Sequence, residues 1–271
     1  MFNRKTEGSV VCPYCGKLVG VRDEECWNCG RRNPGMWGFA PLLRRFGNML
    51  DFTAIITWGC TFLFILTLLF DTSGIQTGGL SFLQPSTLSL FTFGASGSYP
   101  VFVEGRWWTL VSAAWLHGGI LHIFFNMLWV RQLAPATSSF YGTSRTVIIY
   151  TVSSITGFLL SSLAGNQLTI GASASIFGLL GALVLYGRRG GISHISRQAM
   201  SYAAVLFVFG FLIRGVDNFA HLGGFLGGVG ISWLLDPLKQ ERIEHFWGAI
   251  ACIALTLLSI ILSIVNSVRL F

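Results

Sequence analysis

Two groups of residues in this chain have types and spacings that could do chemistry. The first is a serine and two histidines set in apolar surroundings. Ser173 lies in Gly171-Ala-Ser-Ala-Ser-Ile-Phe-Gly178, His221 opens His221-Leu-Gly-Gly224, and His122 stands four residues before Asn126. Serine is a poor nucleophile until a base takes its proton, and a neutral imidazole does this near neutral pH. Residues spaced i, i+4 share one helix face, and both histidine and asparagine can donate a hydrogen bond to an oxyanion. The set suits acyl transfer, with Ser173 as nucleophile, His221 as base, and His122 and Asn126 as the oxyanion site. Asp217, four residues before His221, is expected at the outer surface. No acid is then left to orient the imidazole, and a Ser-His dyad is expected rather than a triad.

The second group is four thiols in two knuckles, Cys12-Pro-Tyr-Cys15-Gly and Cys26-Trp-Asn-Cys29-Gly. Each knuckle offers two thiolates on a tight turn, and four thiolates make a closed tetrahedral zinc site. A rubredoxin-like iron site and disulfides are the alternatives, the latter disfavoured where thiols are kept reduced. A unit of residues 1–35 is too small to fold on its own core, so metal would supply much of its stability. Four thiolates leave no place for a substrate, so a structural or regulatory role is expected for it. Cys60 and Cys252 fall in apolar helices and read as buried apolar residues.

The elements that must position these groups follow from composition. The chain is 52% hydrophobic and 11% charged, with a mean hydropathy of +0.64, where soluble domains carry about 25% charged residues. Runs long enough to cross a bilayer, roughly 20 residues each, recur at about 52–70, 109–130, 146–163, 171–187, 199–213, 218–235 and 247–268. The fold class expected is an all-α polytopic membrane protein, preceded by the small four-cysteine, zinc-ribbon-like unit. Nothing near the polar, basic N-terminus reads as a cleaved signal. Residues 36–51, with Arg44, Arg45 and Phe46, read as a linker or a short interfacial helix.

Charge placement gives the orientation. With the N-terminus inside, fifteen of the 18 Lys and Arg residues fall on the inner side, and only Arg106, Arg214 and Arg269 fall outside. That is a positive-inside pattern, and it accounts for the net charge of +7 without a nucleic-acid partner. The second, fourth and sixth spans then all run from outside to inside. His122, Asn126, Ser173 and His221 converge on one depth in the outer half. Polar groups inside a membrane are functional candidates by default. Gly223/Gly227 and Gly224/Gly228 are small-xxx-small pairs, and the fourth span holds Gly171, Gly178 and Gly181. Such faces let helices pack backbone to backbone and bring a short serine side chain within reach of an imidazole. The segment Thr72–Val103 has no charged residue but many Phe and Leu, and is expected to lie partly in the interface against the bundle. Trp107, Trp108 and Trp115 are expected at the outer interface, and His117 near the outer mouth.

With these pieces in place, the chain resembles the rhomboid intramembrane serine proteases. The resemblance rests on Gly105-Arg-Trp-Trp108, His117-Gly-Gly-Ile-Leu-His122-Ile-Phe-Phe-Asn126, Gly171-Ala-Ser173 and Ala220-His221-Leu-Gly-Gly224, and covers roughly residues 52–235. It implies a six-helix rhomboid-like core, here with a seventh C-terminal transmembrane helix over 236–271. It also implies hydrolysis of peptide bonds in or next to transmembrane segments of single- or multi-span membrane proteins. By position it assigns Ser173 as nucleophile, His221 as base, and His122 with Asn126 as oxyanion hole. Two departures stand out. Ala174 follows the nucleophile where the family usually has Gly, and Phe177 stands where an aromatic, often Tyr, stacks near the catalytic His. Gly94-Ala-Ser96-Gly97 matches the family's literal string better than 171–174 does, but it sits in the long loop with no membrane helix directly after it. Ser175 is the nearer rival, turned about 200° from Ser173 on a helix.

Three functions compete. One is an active intramembrane protease. Another is a catalytically inert rhomboid-like protein that binds transmembrane helices, although such relatives typically lack the Ser or the His, and both are present here. The last is a transporter or channel built on a bundle with a polar centre, which would want discontinuous helices and a charge near the midplane, and the sequence signals neither. The location expected is a plasma membrane of bacterial type, with the N-terminus cytoplasmic and the C-terminus outside.

Overall fold

A computed structural model describes residues 4–42, 51–78, 82–213 and 215–268. Arg44, Arg45, Phe46, Arg214 and Arg269 lie outside the described residues. The N-terminal unit is a two-stranded antiparallel hairpin, β1 (Ser9–Val11) and β2 (Leu18–Gly20), with Val10 opposite Val19. Its small core is Val10, Val19, Val21 and the thiols of Cys12 and Cys26.

The rest is helical: α1 (Phe52–Phe70), α2 (Thr87–Phe93), α3 (Thr109–Ser112), α4 (Ile120–Tyr141), α5 (Thr143–Leu163), α6 (Ser173–Arg189), α7 (Ser193–Leu212), α8 (Asn218–Leu234) and α9 (Ile243–Val268). α1, α5, α7 and α9 are each long and apolar enough to cross a membrane, and the chain is a multi-pass membrane protein. α6 and α8 have 17 residues each, about 26 Å of helix against a hydrocarbon core of about 30 Å. α6 is buried along most of its length, whereas α8 packs one face on the bundle and leaves Phe219, Leu222, Leu226, Trp233 and Leu234 exposed.

The second span differs from the expected 109–130. A break at 116–119 separates the short segment 109–115 from α4 by a 95° bend, and Gly119 supplies the positive φ of 144° that the corner needs. α4 then continues to Tyr141 with Pro135 inside it, so Arg131 is an exposed residue on a helix rather than part of a loop. The bend also withdraws Trp115 from the interface. It is buried, edge-on to Tyr150. Arg106 and Arg145 are not solvated flank charges either. Both are buried, and each is spent on backbone carbonyls. Arg145 donates to those of Leu235, Asp236 and Lys239, and Arg106 to those of Phe91 and Ser263.

α8 is wedged between α5 and α6, and glycine decides how closely. A methyl on Gly224 would overlap the Ala174 carbonyl, and one on Gly228 would overlap that of Gly178. The two pairs step by four residues in the same direction, so α6 and α8 run parallel. On the other side a methyl at Gly157 of α5 would meet the Ala220 carbonyl at 2.7 Å and the Ala174 Cβ at 2.8 Å. The expected small-residue faces are thus in contact, three helices deep.

The uncharged loop is folded onto the bundle, as expected. Ser98 N–H donates to Asn166 O, and Ser96 and Thr169 exchange both backbone bonds. This buries Ser96 and ties the loop to the strand-like stretch that leads into Gly171. Against α2 and α3 lies α9, whose Thr256, Ser259 and Ser263 are buried. Trp108 Nε1 donates to Ser263 Oγ at 3.0 Å.

Candidate active site

Ser173 is the first residue of α6 and half-buried. The chain reaches it through Gly171, whose φ of 123° is open to glycine and whose N–H is fixed by the Ala113 carbonyl at 2.9 Å. At a helix start the first N–H groups have no intrahelical partner and the dipole is positive. Negative charge developing beside Ser173 therefore meets donors already in place. A methyl on Gly171 would lie 2.8 Å from His122 Nε2 and 3.8 Å from Ser173 Oγ. The imidazole of α4 and the hydroxyl of α6 thus border one small space, kept open by the missing side chain.

The hydrogen bond at the other ring nitrogen sets the His122 tautomer. Gly118 N–H donates to His122 Nδ1 at 3.2 Å, so a neutral ring carries its proton on Nε2. That N–H points into the space beside Gly171. Asn126 follows one turn later, buried, with Nδ2 donating to the His122 carbonyl at 2.8 Å. Its second amide N–H remains for a ligand. His117 is fully buried and edge-on to His122, with ring centres 5.2 Å apart. It is thus inside the protein rather than at a mouth.

His221 is buried on α8 and lies flat on Phe177, with centroids 4.2 Å apart and planes 14° from parallel. Phe177 is four residues after Ser173, so it marks the same stripe of α6. Parallel α6 and α8 therefore put the imidazole on the Ser173 face, one turn in. Ser175 leaves that face, because its hydroxyl donates to Tyr150 O at 2.8 Å.

Two residues at the start of α8 take places that the sequence does not signal. Asp217 is not a free surface acid. It caps α8 through Ala220 N–H at 2.9 Å, accepts from Asn166 Nδ2 at 2.9 Å and pairs with Ser161. It locks the start of α8 to the loop before Ser173. The partner of His221 is Asn218, whose Oδ1 lies 3.2 Å from Nδ1. An amide oxygen only accepts, so Nδ1 carries the proton and Nε2 keeps its lone pair. The spacing i−3 from His221 is the signal that could have found it. Asn218→Ala is expected to lower kcat about fivefold with little change in KM, since one hydrogen bond of about 1 kcal/mol is lost. Asn218→Asp keeps an acceptor and is expected to restore most of the rate. Equal losses in both variants would remove this role.

The thiols form a separate centre. The ligand atoms of Cys12, Cys15, Cys26 and Cys29 lie within 4.8 Å of one another. Each knuckle closes alike, with Gly16 N–H on Cys12 O and Gly30 N–H on Cys26 O, both at 2.9 Å. Cys12 and Cys29 Sγ are 3.9 Å apart, and Cys15 and Cys26 3.6 Å. Metal–sulfur bonds of about 2.3 Å at tetrahedral angles separate sulfurs by about 3.8 Å, so the four thiols fit a tetrahedral ion. Burial pushes the Cys12 thiol up to about 12, and a thiolate held there needs a cation beside it.

Comparison with known proteins bears on the helical part. Residues 104–238 match the Rhomboid domain family. The chain is 34% identical over 146 residues to Rhomboid protease GluP of Bacillus subtilis (strain 168), covering 53% of this chain and 29% of that protein. It is 35% identical over 165 residues to RHOMBOID-like protein 5 of Arabidopsis thaliana, covering 57% and 53%. With Rhomboid-like protease 3 of Toxoplasma gondii the identity is 32% over 170 residues, covering 60% and 64%. The chain thus spans less than two thirds of the length of these relatives.

Proposed function

The chain belongs to the rhomboid family, and from that premise we propose that it is an intramembrane serine protease that hydrolyses peptide bonds in or next to transmembrane segments of membrane proteins. One observation carries the reading. The Gly171 face is bordered by both Ser173 Oγ and His122 Nε2, on a stripe of α6 whose next turn stacks on His221. In the reaction His221 Nε2 takes the Ser173 proton as Oγ attacks the substrate carbonyl carbon. The carbonyl oxygen becomes the oxyanion and is met by the His122 Nε2–H, the free N–H of Asn126 and the first N–H groups of α6. His221 then gives its proton to the leaving amine. Water attacks the acyl-serine in the same way, with His221 again as base, and Ser173 is regenerated.

The substrates are single- or multi-span membrane proteins that present an extended segment to this site. The orientation that fits the charge distribution places the N-terminus in the cytoplasm, in a plasma membrane of bacterial type. Residues 1–35 form a zinc-ribbon-like module, 36–51 a linker, 52–235 the protease core and 236–271 an added helix with its loop. Zinc is the ion that suits the four thiols, held by Cys12, Cys15, Cys26 and Cys29 as a structural ion with no part in the hydrolysis.

Purified protein in detergent is expected to cut a generic single-span test substrate. A folded protein that retains the test helix without cutting it would shift the reading to an inert binder. For the metal, one zinc per chain is expected on purification, released by a thiol-reactive mercurial and lost in Cys12→Ser/Cys15→Ser. Metal content that is unaffected by both treatments would place the ion elsewhere.

A further inference from the structure

The four-cysteine unit is not a free appendage. Its first knuckle lies against the loop between α8 and the last helix, α9. The N–H of Ile243, the first residue of α9, donates to the carbonyl of Pro13, between Cys12 and Cys15, at 2.8 Å. A side chain on Gly16 would overlap that of Gln240. Arg31, two residues after Cys29, pairs with Glu244 in the first turn of α9 at 3.3 Å and lies over the Tyr14 ring at 5.0 Å. Contacts thus come from both knuckles, which meet at the four-sulfur centre and share a small apolar core of Val10, Val19 and Val21.

The receiving loop is itself built into the membrane part. The buried Arg145 guanidinium gathers the carbonyls of Leu235, Asp236 and Lys239, and Arg145 N–H donates to Glu241 Oε1 at 3.0 Å. Burial pushes the Glu241 carboxyl up, and the loop is held to the bundle through these bonds to Arg145. α9 turns much of its surface away from the bundle, with Leu255, Leu257, Leu258, Ile261 and Val265 all exposed. At its far end it bonds Arg106 and Trp108 through Ser263. A helix start leaves four N–H groups unsatisfied, and their partners decide whether the first turns fray.

We propose that the four-cysteine module is a metal-dependent N-terminal cap for α9, seating the last helix on the bundle from the end opposite Ser173. The module folds only around its ion. Metal loss then removes the Pro13 carbonyl and the Arg31 guanidinium from the α9 start together. The added helix and the added module are, in this reading, one device. The surface pair alone contributes little. The backbone cap and the shape of the Gly16 knuckle carry the contact.

This proposal rests on the metal reading of the four cysteines but not on proteolysis, and its test uses hydrogen exchange. Full-length protein in detergent is compared with zinc bound and after removal, with metal content measured in both states. Amides of residues 247–250, the first to donate within α9, are expected to exchange at least tenfold faster without zinc and to recover on its return. Ile243→Pro removes the donor at a position where proline suits a helix start. It is expected to keep its zinc and still show faster exchange at 247–250. Unchanged exchange after verified zinc loss overturns the cap while leaving the metal site in place. Unchanged exchange in a zinc-loaded Ile243→Pro protein overturns it likewise. Protein that binds no zinc overturns both.

Discussion

Ser173→Ala is expected to abolish cleavage of a transmembrane substrate, with a fall in kcat/KM of at least about 1,000-fold, because the proposed nucleophile is removed. His221→Ala is expected to fall by a similar factor, and the double variant no further. A nucleophile and its base act as one unit, so their losses do not add. The informative control is Ser175→Ala. Ser175 is on the same first turn of α6, but its hydroxyl is buried and donates to Tyr150 O at 2.8 Å. This variant should retain most of the activity and lose at most about 1.5 kcal/mol of stability with its hydrogen bond. Thermal unfolding of each variant separates lost chemistry from lost fold. Cleavage that survives in Ser173→Ala but vanishes in Ser175→Ala would overturn the assignment of the nucleophile.

The second large effect is expected at a residue with no chemistry of its own. Gly224→Val should destabilise the protein by about 3 kcal/mol or more and remove activity, since overpacking a close contact forces backbone apart. Any Cβ at 224 overlaps the Ala174 carbonyl. Relief requires α8 to move off α6, and that carries His221 away from Ser173. Gly230→Ala is the matched control on the same helix. No atom lies within 4 Å of a Cβ there, and alanine in a helix interior gains about 0.5–1 kcal/mol over glycine. Its melting temperature should be unchanged or raised, with activity intact. If Gly224→Val melted like wild type, the close approach of α6 and α8 would not be what joins the site.

Some of this was written in the chain itself. Helix bounds such as Phe52–Phe70 coincide with the expected 52–70, since a membrane demands a continuous apolar run and the run ends where the charges begin. The thiol cluster was equally plain, because two C-x2-C turns can bring four sulfurs together without help from the rest of the fold. The candidate hydroxyl and imidazoles were legible as polar groups in apolar helices. The corner before α4 was not. Residues 109–130 read as one apolar run, and nothing in hydropathy distinguishes a straight span from one bent by 95° at 116–119.

What the sequence determined by itself is therefore chemical and one-dimensional: which groups can react, which runs can cross a bilayer, and which turns can hold an ion. Only helix packing settles where side chains of ambiguous character spend their bonds. Arg106 and Arg145 counted as flanking charges, yet both are buried on backbone carbonyls of distant segments. Asp217 looked like a surface acid and instead ties α8 to Asn166 and Ser161, leaving Asn218 to orient His221. Pro13 gave no sign that its carbonyl would meet the start of α9. The physical reason is the same in each case. A hydrogen bond between residues far apart in the chain has no periodicity and no composition, so it exists only once helix packing has brought its two ends to one place.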